Sequence, residues 1–237
     1  MTRRRWIADE VTNDRAALIG AHAAHLSRTL RARVGQEFEV ACGETVRRGI
    51  IARVSDERVE FELGDEVTAS GSVPITLLLA VFKFDRMEWA IEKCTELNVT
   101  SIVPVIARRT EKHLALAAEK RVERWRRIAR EASEQARRVA PPEIGDPMKL
   151  SAALDIAADL RILLAETERE AQLSDVLQER TGGHSLALAV GPEGGWSPEE
   201  LQSFEQTGWI AASLGATILR AETGAIAAVA IARAEMD

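Results

Sequence analysis

Two stretches near the C-terminus carry the residue types and spacing from which a ligand site is made. Residues 186–201, LALAVGPEGGWSPEEL, set a run of small apolar residues directly against Gly-Pro-Glu-Gly-Gly. An apolar run that ends in glycines reads as a strand leaving a parallel sheet into a loop whose bare main chain a ligand approaches closely. The loop then enters a helix at Ser197-Pro198-Glu199-Glu200. There Ser197 can cap, Pro198 suits the first turn and the carboxylates suit the helix dipole. This is not a phosphate loop: it has neither a Gly-Lys-Ser/Thr nor a G-x-G-x-x-G pattern, and Glu193 at its centre repels a phosphate. A neutral or cationic ligand fits better. The bland alternative is a tight strand-to-helix turn that binds nothing.

The second stretch is SLGATILRAETGAIAAVAIA, residues 213–232. Leu214-Gly215 ends a strand, Ile218-Leu219-Arg220 crosses a short loop, and Glu222-Thr223-Gly224 opens an alanine-rich helix. Two such loops at the ends of strands in one sheet can form opposite walls of one pocket. Glu222 and Glu193 are carboxylates that can accept a proton or orient a partner, although a carboxylate at a helix start is equally well explained by the dipole. His22 and His25, one helical turn apart, are better explained as packing or surface residues than as metal ligands. Cys42 and Cys94 lie far apart, so neither a disulfide framework nor a zinc site is expected, and a reducing, cytoplasmic setting suits them.

The elements that position these loops divide into two kinds. Residues 17–30 predict an amphipathic helix; EFEVA (37–41), GIIARV (49–54) and RVEFEL (58–63) predict short half-buried strands of a small barrel or sandwich. After the composition break TASGS (68–72) the grammar changes. ITLLLAVF (75–82) is a continuous apolar run, as expected of a parallel strand buried on both faces. It is followed by a helix, the strand SIVPVIA (101–107), a long helix over about 117–137, the strands RILLA, LALAV and WIAASLG, and a last helix from about Thr223. Strand and helix alternate, which predicts an α/β domain with a parallel sheet. We therefore expect domains at 1–70 and 73–237.

Composition excludes several classes. A chain of 237 residues, 46% hydrophobic, can bury a sizeable core, and no run of eighteen apolar residues marks a membrane span. The net charge of −6 argues against a uniformly basic coat, but basic residues are concentrated: eleven Lys or Arg against five Asp or Glu between Arg108 and Arg138. Aromatics are 4% with no tyrosine, so a broad base-stacking platform is not expected. Trp6, beside three arginines, is the tryptophan most suited to face RNA; the others read as core.

GPEGGWSPEEL followed by SLGATILRAETGAIAA resembles the C-terminal signature of the bacterial methyltransferases that modify uridine N3 of small-subunit (16S) ribosomal RNA, in the SPOUT superfamily. KFDRMEWAIEKCTELNVTSIVPV (83–105), RWRRIAREASEQARR (124–138) and HLSRTLRARVGQEFEV (25–40) resemble further parts of the same family, so the likeness spans nearly the whole chain. Four departures stand out: Asn98 where glycine is usual, Trp196 where phenylalanine is common, Gly224 where alanine is usual, and RVAPPEI after Arg138 where a second arginine precedes Val-Pro.

The resemblance implies a PUA-like β-barrel RNA-binding domain followed by an α/β trefoil-knot domain, a homodimer, and S-adenosylmethionine as cofactor without any metal. It places Val190, Gly191, Pro192, Glu193, Gly194, Gly195, Leu214, Gly215, Ile218, Leu219 and Thr223 around that cofactor. Arg138 and Arg220 would stabilise charge on the reacting base, with Glu222 as the partner carboxylate. Arg3, Arg4, Arg5, Arg28, Arg31 and Arg124 would track RNA phosphates, either of free ribosomal RNA or of the assembled small subunit. A non-catalytic RNA-binding adaptor explains the basic segments but not the glycine loops. A nucleotide- or CoA-using enzyme predicts basic residues where Glu193 stands.

Overall fold

In a computed structural model of the chain, which describes residues 5–43, 45–67, 72–179 and 185–236, contacts divide the protein into two units. One comprises Met1–Gly71 with Arg130–Pro141, the other Ser72–Ala129 with Pro142–Asp237.

The first unit contains β1 (Arg5–Ile7), β2 (Glu10–Val11), β3 (Arg15–Ile19), the helical turn α1 (Ala21–Ala24), β4 (Glu37–Cys42), β5 (Thr45–Val54) and β6 (Arg58–Val67). They form one sheet in the order β1-β4-β5-β6-β3-β2, antiparallel except for the β1–β4 pair. The strands at the two ends of this order, β1 and β2, are joined only by Ala8 and Asp9, so the sheet curls into a half-barrel. The alternation in β6 works as read: Val59, Phe61 and Leu63 are buried with Val40, Ile51 and Leu18 in one apolar cluster. Gly49 is required there, because a Cβ would lie 2.6 Å from Val40 Cγ2.

Two expectations are corrected here. Residues 17–30 are not one helix: Ala17, Leu18 and Ile19 belong to β3, and Gly20 at φ 58° breaks the chain before α1. The apolar Leu18 is claimed by the sheet core rather than by a helix face. From His25 to Thr29 the helix then widens into a π-type turn. Trp6 does not face RNA either, since it is 0% exposed within that core.

The second unit contains β7 (Ile75–Ala80), α2 (Phe84–Glu96), β8 (Ser101–Ile106), α3 (Lys112–Ala117), α4 (Val122–Gln135), β9 (Glu143–Ile144), β10 (Met148–Lys149), α5 (Leu150–Ala153), β11 (Leu160–Leu164), α6 (Leu173–Glu179), β12 (Leu186–Val190), α7 (Pro198–Gln206), β13 (Ile210–Ala212) and α8 (Ala221–Met236). The last turns of α4 group with the first unit, where Arg130 Nη2 donates to the Ile7 carbonyl at 2.6 Å and pairs with Asp9 at 2.9 Å. The expected helix over 117–137 is interrupted by a 3₁₀ turn at Glu119–Arg121, closed by Arg121 N donating to Ala118 O.

The sheet runs β10-β8-β7-β12-β11-β13 with β9 beside β8, and every pair is parallel. Both faces are covered, which is why β7 and β12 read as unbroken apolar runs. Ile75, Leu77 and Leu79 pack with Met87, Ile91 and Cys94 of α2 and Ala225, Ala228 and Val229 of α8. Leu78 and Ala80 point the other way, with Leu150, Phe204 and Trp209. Each fully buried Leu, Ile or Val in these layers contributes about 1.5–3 kcal/mol. Among the described residues no helix is long and apolar enough to cross a membrane.

Candidate active site

Ligands of open parallel sheets sit beyond the carboxyl ends of the strands, and there the second unit has a cavity of about 660 Å³. Its walls come from the ends of β11, β12 and β13 and the loops that follow them, with Arg86 of α2 beside them. A volume of this order suits a small organic ligand, for which pockets of roughly 300–1,000 Å³ are usual.

The glycine loop is built by its own chemistry and by a strap. Ser197 caps α7 by accepting from Glu200 N at 3.3 Å, while Ser197 N donates to Glu200 Oε2 at 2.8 Å. The other oxygen of this buried carboxylate accepts from Arg108 N at 2.7 Å, and Arg109 Nη1 donates to the Gly194 carbonyl at 2.5 Å. The segment after β8 thus holds both ends of the loop. Gly195 sits at φ +68° with its missing Cβ 2.9 Å from Glu166 Oε1, so a side chain there is strained and crowds the pocket wall. Trp196 packs edge-on against Phe204, ring centroids 4.9 Å apart, and its ring would lie 3.2 Å from a Cβ at Gly191, so a side chain there would have to push the indole aside by a few tenths of an ångström.

The wall after β11 was not legible beforehand. Glu168 Oε1 accepts from Arg169 N, Glu170 N and Ala171 N at 2.9, 2.8 and 3.1 Å, folding residues 166–172 into a turn. These backbone donors, those of Glu170 and Ala171 first, hold the Glu168 carboxyl below its usual range. The only advance signal was positional, since every parallel strand end borders the ligand crevice.

The structure brings nine of the eleven sequence-derived pocket residues to the cavity: Val190, Gly191, Pro192, Glu193 and Gly195 from one loop, and Leu214, Gly215, Ile218 and Leu219 from the other. Gly194 and Thr223 do not line it. Arg220 lines it and is exposed, whereas Glu222 lies behind the wall at 4% exposure. Its Oε1 is 3.7 Å from Nε of Arg86, a pocket residue that sequence reasoning missed. Arg138 belongs to the first unit.

Of the four described arginines expected to track phosphate, three are in ion pairs. Arg5 pairs with Glu39 at 3.0 Å and donates to the Arg137 carbonyl. Arg28 pairs with Asp56 at 2.8 Å, and Arg124 is bidentate on Glu88 at 2.6 and 2.8 Å. Hydrogen bonding and charge from Asp56 raise the Arg28 guanidinium, and the same bond holds the Asp56 carboxyl down. Arg31 is exposed, in the left-handed region at φ 51°. Arg3 and Arg4 lie outside the described residues. His22 faces Asp9 at 3.4 Å and His25 the ring of Trp6. Among the described residues no cluster of His, Cys, Asp and Glu could hold a metal ion.

A parallel sheet with helices on both faces and a glycine-lined crevice at its strand ends defines a ligand-binding α/β domain, and residues 69–233 match the RNA methyltransferase domain family. The ribosomal RNA small subunit methyltransferase E of Synechocystis sp. is 30% identical over 229 residues, covering 94% of this chain and 74% of that protein. Its counterpart in Rickettsia conorii is also 30% identical, over 93% of this chain and 90% of that one. The crystal structure of the Neisseria gonorrhoeae enzyme, bound to S-adenosyl methionine, superposes with a TM-score of 0.84 at 29% identity, covering 96% and 95% of the two chains. The chain belongs to the ribosomal RNA small subunit methyltransferase E family.

Proposed function

We propose that the protein transfers a methyl group from S-adenosylmethionine to N3 of a uridine in small-subunit ribosomal RNA. The observation that carries this reading is the glycine-lined cavity at the carboxyl ends of β11–β13, in a chain of this family. The residues present fit the cofactor. Gly191, Gly195 and Gly215 carry no side chain, so an adenine and ribose can approach the main chain closely, and Leu214 and Leu219 supply apolar walls. Glu166 and Glu193 suit a cationic ligand, and Val190, Pro192 and Ile218 complete the lining, with Gly194 and Thr223, the third residue of α8, just outside it. Bound there, S-adenosylmethionine supplies an electrophilic methyl whose bonding pair stays on sulfur.

The protein's own task is to align N3 with that methyl and to stabilise the ring as N3 loses its proton. Arg220, in the pocket wall, adds positive charge there, and Glu222, behind the wall, faces Arg86. The half-barrel of the first unit is a PUA-like module that carries RNA on Arg3, Arg4, Arg5, Arg28 and Arg31, with Arg124 contributing from α4. The second unit closes as a trefoil knot in which the segment before α8 is threaded. Exposed Ile218, 81% accessible, and Leu219 on that segment suit a homodimer contact. The substrate is the RNA within the assembled small subunit or free of it, in the cytoplasm.

Calorimetric titration with S-adenosylmethionine, of wild type and of Gly195→Val, tests the cofactor site. Methylation of small-subunit RNA, with the product nucleoside identified by mass spectrometry, tests the reaction. Binding lost in the variant together with 3-methyluridine in the product supports the reading; a folded wild type that binds no S-adenosylmethionine overturns it.

A further inference from the structure

The side chain most deeply committed next to the cavity belongs to none of its loops. Glu222, the second residue of α8, is 4% exposed, and its Oε2 has no hydrogen-bond partner among the described residues. A buried carboxylate is costly unless a cation offsets it, and the cation here is Arg86, on the first turn of α2, with Nε 3.7 Å from Glu222 Oε1. The pair is an ion pair without a hydrogen bond, so it fixes where the guanidinium sits without using up its donors. Arg86 is half-buried and lines the cavity.

The other charged groups on the cavity wall are arranged differently. Glu166 and Arg169 in the loop after β11, Glu193 in the glycine loop and Arg220 before α8 are exposed, and Glu168 spends its carboxylate on backbone donors of its own turn. Water screens an exposed charge and leaves it mobile, whereas a half-buried one held by a buried carboxylate is screened less by water and needs less reorganisation, although the carboxylate offsets part of its charge. Among the cavity's arginines only Arg86 is so held.

We propose that Arg86 is the catalytic residue that stabilises the deprotonated uracil, and that Glu222 is the positioning residue that aims it. This rests on the methyltransferase reading above. Loss of the N3 proton to a solvent base leaves its bonding pair on the ring, spread over N3 and the flanking carbonyl oxygens. A planar guanidinium fork matches that edge, donating to two adjacent acceptors. Lowering the energy of this anion raises the fraction of substrate ready to form the N3–CH3 bond with that pair. Arg86 itself exchanges no proton.

The test is single-turnover methyl transfer to small-subunit RNA across a pH series, with wild type, Arg86→Gln, Arg86→Lys, Glu222→Gln and the double variant. Calorimetric S-adenosylmethionine affinity is read on each. At neutral pH we expect Arg86→Gln to slow transfer by about 10²–10³-fold while cofactor affinity changes by less than about threefold. The deficit narrows as pH rises, because the base then ionises without help. Arg86→Lys recovers part of the rate, and Glu222→Gln costs about tenfold in wild type but nothing further once Arg86 is gone, as expected of one unit. A deficit that is the same at every pH, one matched by lost cofactor affinity, or additive effects of the two substitutions would each overturn the assignment. A wild type that binds S-adenosylmethionine but leaves N3 unmethylated removes the functional reading itself, a result separable from any effect of the pair.

Discussion

Arg233 of α8 holds the end of α2 through Asn98: its Nη2 donates to the Asn98 carbonyl, Nε to Leu97 O at 3.1 Å, and Nη1 to Val73 O at 2.6 Å. Asn98 lies in the left-handed region at φ 63°, the conformation that ends helices and that asparagine tolerates better than most residues. Its side chain also donates to Ser72 Oγ at 2.6 Å. One guanidinium therefore closes the carbonyl end of α2 and ties it to the chain entering β7. Arg233→Ala is expected to destabilise the protein by on the order of 3 kcal/mol, because hydrogen bonds to a charged donor are worth about 1.5–3 kcal/mol each and do not add fully. Arg233→Lys should recover little, since an ammonium cannot fork across three carbonyls. Urea unfolding of the three proteins decides it.

Gly224 is the converse case. It sits on the first turns of α8 with an ordinary helical backbone, and a Cβ there would meet Leu214 Cδ1 at a comfortable 3.8 Å. Gly224→Ala is expected to stabilise the protein by about 0.5–1 kcal/mol through helix propensity and a less flexible unfolded chain. Differential scanning calorimetry should show the melting temperature rising by a few degrees; a fall would mean that the helix start cannot accept the methyl group.

Glu200 uses one oxygen for the α7 cap and the other for Arg108 N. Glu200→Ala removes both at a buried site and is expected to cost on the order of 2–3 kcal/mol. Because the same carboxylate pins the glycine loop, S-adenosylmethionine affinity should fall with it, and calorimetry on the folded variant would show this. Unchanged affinity would mean that Arg109 alone suffices to hold Gly194.

Burial alone pushes the Cys94 thiol up to about 12 from an ordinary 9.0. The folded protein keeps this proton where the unfolded chain has released it, so stability is lost as pH rises past 9, by about 1.4 kcal/mol per pH unit until the folded thiol also ionises. Cys94→Ala lacks that slope. The stability gap between the two proteins should therefore shrink between pH 9 and 11 in paired unfolding curves, and a parallel pair of curves would contradict the burial argument.

Local chemistry was legible without the structure. Gly-Pro-Glu-Gly-Gly leaving an apolar strand, Ser197 as a cap and the alternation in β6 each depend on neighbours within a few residues, and all three took the form read. The same locality misled over residues 17–30, where apolar spacing suited a helix but Gly20 and pairing with β6 gave Ala17, Leu18 and Ile19 to a strand. Trp6 beside arginines suggested an exposed ring, yet the half-barrel needed a large side chain inside.

What the sequence determined by itself was the set of parts: an antiparallel-type first half, a parallel α/β second half, and two small-residue loops able to admit a ligand. Tertiary structure alone decided which parts meet. Parallel pairing of β7 with β12 uses main-chain groups that carry no signature in side-chain type, and the packing of α8 beside α2 follows from apolar faces that would accept many partners. Those two choices set Arg86 against Glu222, 136 residues apart in the chain, and local spacing holds no record of such a pair.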